Sequence, residues 1–74
     1  MNPNECKAAR ALLNLTQQDL ADSIGVSKRT IAEFESKGTL PTPRVFAAMV
    51  YGIEDLGIEF IKANGGGPGV RLKK

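Results

Sequence analysis

The chain contains no histidine and no tryptophan, one tyrosine, Tyr51, and one cysteine, Cys6. With no histidine and one cysteine a His/Cys zinc site is not expected, and a single thiol excludes an intrachain disulfide. The acids Asp19/Asp22, Glu33/Glu35 and Glu54/Asp55/Glu59 have no evident catalytic partner and read as solvated faces. No enzyme activity, metal, cofactor or small-molecule ligand is therefore expected. No apolar run approaches the roughly 18 residues that a membrane span needs, and the opening MNPNECKAAR is too polar for a signal-peptide core. A reducing, cytoplasmic setting fits best. At 74 residues the chain is one small domain with little core to bury, and such domains often gain stability from a second copy.

The composition, 42% hydrophobic and 24% charged, is that of a soluble globular protein. The net charge of +2 is too small to argue for nucleic acid, but its distribution is uneven. Residues 1–61 carry six Lys/Arg against eight Asp/Glu, whereas Lys62, Arg71, Lys73 and Lys74 face no acid in residues 62–74. The simplest use of that tail is to keep the chain soluble. Between Ser27 and Val45 the cations Lys28, Arg29, Lys37 and Arg44 outnumber Glu33 and Glu35, so any basic face is local.

Helix boundaries are written in capping residues. Asn2-Pro3-Asn4-Glu5 supplies an N-cap, a proline at the first helical position and a capping-box acid, predicting a helix to about Leu13. On it Cys6, Ala9, Arg10 and Leu13 share one stripe, which makes Cys6 a small core residue and Arg10 an arginine in need of an acidic partner. Glu35 is the candidate for that structural ion pair. Thr16 caps a second helix with Asp19 three residues on, and Gly25 ends it. Ser27 caps a third, closed by Lys37-Gly38, and Thr42-Pro43 opens a fourth reaching about Leu56. Beyond Gly57, IEFIK (58–62), NGGGPG (64–69) and VRLKK (70–74) read as strand, turn and strand, with a frayed tail as the alternative. The fold class expected is mainly α: four helices in 1–57 and a β-hairpin in 58–74.

The second and third helices are joined by Gly25-Val26-Ser27, and their spacing is specific. Counting Gln17 as the first position, the small Ala21 falls fifth, where two helices can cross closely, and Gly25 falls ninth, where the turn needs positive φ. Leu20, Ile24, Val26, Ile31 and Phe34 then occupy the inward positions. The third helix nevertheless begins with Lys28 and Arg29. A helix N-terminus disfavours cations by about 0.3–1 kcal/mol each.

The stretch LTQQDLADSIGVSKRTIAEFESKG resembles the phage-repressor type of helix-turn-helix, the Cro/C1 or Xre family of bacterial and phage transcription regulators, over roughly residues 5–56. The resemblance implies that the third helix enters the major groove of double-stranded DNA. Lys28, Arg29, Thr30 and Glu33 become base-contact candidates, and Gln17, Ser27, Lys37 and Arg44 phosphate-contact candidates. It also implies an arginine of the first helix paired with a glutamate ending the third. Cations at that helix start make sense if guanine O6/N7 acceptors and phosphates lie beyond it. After the fourth helix the pattern departs, since many relatives continue into a fifth helix. Here the hairpin, through Ile58, Phe60, Val70 and Leu72, is the expected surface for a homodimer on a pseudo-palindromic operator. Autoregulatory repression is the default role. The alternative from another class is a protein-binding module on the same fold, an antiactivator or antitoxin-like partner, which the mildly acidic body favours and the basic pair opposes.

Overall fold

A computed structural model describes residues 1–61 and 69–73. Four helices, α1 (Pro3–Leu13), α2 (Gln17–Ile24), α3 (Lys28–Lys37) and α4 (Pro43–Asp55), precede two short strands, β1 (Ile58–Phe60) and β2 (Val70–Leu72). Capping side chains set the helix starts. Asn2 and Thr16 form reciprocal capping boxes with Glu5 and Asp19, while Ser27 and Thr42 accept from the backbone N–H groups of Thr30 and Val45. α1 ends on Asn14 at φ 60°, a left-handed position that asparagine tolerates better than most residues.

The core takes two residues from each helix and one from the first strand. Cys6 and Ala9, Leu20 and Ala21, Ile31 and Phe34, Met49 and Ile53, and Ile58 are each no more than 1% exposed. Phe34 meets Phe46 edge-on, with ring centroids 5.8 Å apart, tying α3 to α4. α4 approaches the end of α2 where Gly52 offers no side chain. A Cβ there would lie 2.6 Å from Ile24 Cγ2.

The hairpin is antiparallel, pairing Ile58 with Leu72, Glu59 with Arg71 and Phe60 with Val70. β1 lies on α4 and β2 on α1, so the last element returns to the first. Both strands are shorter than IEFIK and VRLKK suggested. The connection 62–68, which contains most of the Gly-rich turn, and Lys74 lie outside the described residues. The expected dimer face needs correction. Ile58 is fully buried, and Phe60 and Val70 pack against the core of their own chain, because a 74-residue body uses this sheet to close one side of the helices. Of the four residues assigned to pairing, only Leu72 is exposed, at 44%.

Candidate nucleic-acid interface

α2 and α3 meet through Gly25, whose φ of 75° lets the chain turn with no Cβ to crowd it. Ala21, 1% exposed, sits at the helix crossing, and the inward Ile31 and Phe34 fix the rotation of α3 about its axis. At 100° per residue that rotation turns Arg29, Ala32, Glu33 and Ser36 away from the core. Arg29 and Ser36 are exposed, and Ala32 and Glu33 half-buried. The stripe includes two residues, Ala32 and Ser36, that sequence reasoning missed, although the i, i+3, i+4, i+7 spacing from Arg29 was there to be read. Ser36 donates to the Ala32 carbonyl at 2.8 Å, so its hydroxyl stays close to the helix and the surface there is low.

The start of α3 is held by side chains. Thr30 N–H donates to Ser27 Oγ at 3.1 Å, and the two hydroxyls lie 2.9 Å apart. Thr30 is thus engaged in the cap. Helix geometry leaves the N–H groups of Lys28 and Arg29 without intrahelical acceptors, facing solvent beside two cationic side chains. Arg29 Nε donates to Glu33 Oε2 at 3.0 Å, so Glu33 lies against an arginine. Lys37 sits in the last turn of α3, about 14 Å along the axis from Lys28, where a cation suits the helix dipole. Arg44 is exposed in the first turn of α4, a second helix start with a cation and no acid. The α3–α4 loop borders α3, with Thr39 and Pro41 forming a shallow depression with Thr30 and Glu33.

Beneath this surface lies a polar cluster centred on Glu35, which is 4% exposed. Arg10 donates from Nε to Oε2 and from Nη2 to Oε1, both at 2.8 Å, and from Nη1 to the Leu15 carbonyl at 3.1 Å. The Cys6 thiol adds a bond to Oε2 at 3.1 Å, and Gln17 Nε2 one to Oε1 at 3.0 Å. One carboxylate therefore joins α1, α2 and α3. Burial by itself would raise its pKa, but the bonds from Arg10, Gln17 and Cys6 outweigh burial and hold it below the usual carboxylate range. Burial, reinforced by the neighbouring Glu35, pushes the Cys6 thiol up to about 12, so it stays protonated and donates. Gln17 differs from its expected role in one respect. Its side-chain amide turns inward to Glu35, and helix geometry leaves its backbone N–H at the start of α2 without an intrahelical acceptor.

Among the described residues no group of His, Cys, Asp and Glu is arranged to hold a metal ion, and no helix is long and apolar enough to cross a membrane. Comparison with known proteins adds a family. No curated protein matches the chain. The helix-turn-helix family model matches residues 7–50, more than half of the chain, running from within α1 into α4 and including the whole of α2, the turn and α3. With capped α2 and α3, the glycine turn and an outward α3 already in place, the chain belongs to the Cro/C1-type helix-turn-helix family of DNA-binding transcription regulators.

Proposed function

We propose that this chain is a sequence-specific reader of double-stranded DNA that seats α3 in the major groove, works as a homodimer and represses by occupying a promoter. The observation that carries the reading is the outward stripe of α3. It has a cation in the first turn where helix stability disfavours one, and the small side chains of Ala32 and Ser36 let the helix lie close to base edges. Lys28 flanks the stripe. Ser27, the N-terminal N–H groups of α3, Arg44, Lys37 and the backbone of Gln17 are the proposed phosphate contacts, which position the helix without specifying sequence. A cytoplasmic location accompanies this role.

One such helix reads only a few base pairs, so two copies about 34 Å apart on a pseudo-palindrome are proposed. With Ile58, Phe60 and Val70 engaged in their own core, the pairing surface is assigned to the apolar side chains left around the hairpin and the end of α4: Leu56, Ile61 and Leu72, exposed by 37%, 38% and 44%.

The test is selection of duplexes from a randomised pool followed by a salt titration on the selected site. A reader that neutralises 6–10 phosphates loses roughly 10³–10⁵ in affinity between about 50 and about 200 mM salt. Failure to select any duplex, or binding indifferent to salt, would transfer the function to a protein partner.

A further inference from the structure

The outward pair Arg29–Glu33 is ordered against helix stability. In an i, i+4 pair the acid is better placed on the N-terminal side, and a first turn favours acids. α1 and α2 follow that rule with Glu5 and Asp19, whereas α3 has no acid in its first turn and carries Arg29 there, with Glu33 following. What the pair achieves is geometrical. Glu33 Oε2 holds Nε at 3.0 Å, which occupies the side edge of the guanidinium and restrains a side chain that is 85% exposed. Among the described residues no hydrogen bond engages Nη1 or Nη2 of Arg29. The open end of the fork is therefore presented as two parallel N–H donors, the pattern that matches the adjacent N7 and O6 acceptors of guanine. The carboxylate also offsets the cation locally, weakening attraction to any phosphate while leaving the two donors intact.

From this juxtaposition we infer that Glu33 is a positioning residue that holds Arg29 end-on for one guanine in each half-site, and that the pair sets specificity more than affinity. The inference rests on α3 being the groove-reading helix. It also replaces the expectation that Glu33 itself touches a base.

The experiment uses the full chain and its selected duplex, with each guanine replaced in turn by 7-deazaguanine, which lacks the N7 acceptor. Dissociation constants are measured by fluorescence anisotropy for the wild type, Arg29→Ala, Glu33→Ala and Glu33→Gln. At one guanine the replacement should weaken wild-type binding by about tenfold, within the range expected for a bidentate base contact, and should leave Arg29→Ala unaffected. In Glu33→Ala the same penalty should fall to about twofold, while affinity for an unrelated duplex stays level or rises. Glu33→Gln keeps an acceptor for Nε and should retain most of the penalty. All four proteins should melt alike, because neither side chain is in the core. A full penalty in Glu33→Ala, a uniform loss across sequences in Arg29→Ala, or a changed preference at a cytosine in Glu33→Ala would each overturn the inference while leaving the groove-reading helix in place. A wild type that selects no duplex would remove both.

Discussion

The Glu35 carboxylate accepts hydrogen bonds from two helices besides its own. Removing one partner leaves a buried charge without compensation, so Arg10→Met alone should cost about 3–5 kcal/mol, and adding Glu35→Leu should recover much of that loss. Denaturant melts of the four proteins decide it, and simple additivity would show that the two residues are not coupled. Acid provides a second test. Glu35 has a folded pKa below its unfolded one, so its contribution is complete above the unfolded value of about 4.3 and is lost as pH falls through the lower folded value. Stability should therefore drop more steeply as pH falls below about 4.3 in the wild type than in the double variant. Cys6 gives an independent readout. A buried thiol with its pKa near 12 should resist alkylation at about pH 8, so labelling should proceed only through opening of the fold. In the sequence, the stripe Cys6-Ala9-Arg10-Leu13 showed that Arg10 needed an acid. It gave no sign that Gln17 and Cys6 would converge on the same oxygens, because that depends on the crossing of α1, α2 and α3 rather than on spacing along any one of them.

Each helix start was legible, since a capping side chain bonds three residues ahead and leaves its pattern in four consecutive letters. Contacts between elements were not, and Gly52 is the clearest case. By intrinsic propensity a mid-helix glycine changed to alanine gains about 1 kcal/mol. Here the added methyl would meet Ile24 Cβ at 2.7 Å and Cγ2 at 2.6 Å. Gly52→Ala should instead destabilise by about 1–3 kcal/mol in thermal melts, and a gain would mean that α2 and α4 can separate without cost. The hairpin shows the same limit. Alternation placed Ile58, Phe60, Val70 and Leu72 on one face correctly, as their register confirms, but a period of two cannot say whether α1 and α4 or a second chain will cover that face. On α3 the cations are plain in the sequence, whereas Ala32 and Ser36, small and uncharged, carry no chemical signal of a surface role.

For the molecule as a whole, the predicted surface of assembly separates two outcomes. Leu72→Glu should shift the protein to monomer in sedimentation and weaken binding to a two-fold site much more than to a single half-site, because one partner's affinity is multiplied by the other's tethering. Tyr51→Glu, on an α4 residue that is 67% exposed, should leave the dimer intact. The reverse pattern would move the interface onto α4. The return of β2 to α1 has a further consequence, for the order in which the molecule opens. Bringing residues near 70 back to residues near 5 closes the longest loop in the fold, whereas α2 and α3 are joined by three residues, so the entropy regained on release is greatest at the hairpin. In native-state hydrogen exchange the amides of β2 should therefore give up their protons well before those of α3, by brief local openings that leave the two central helices folded.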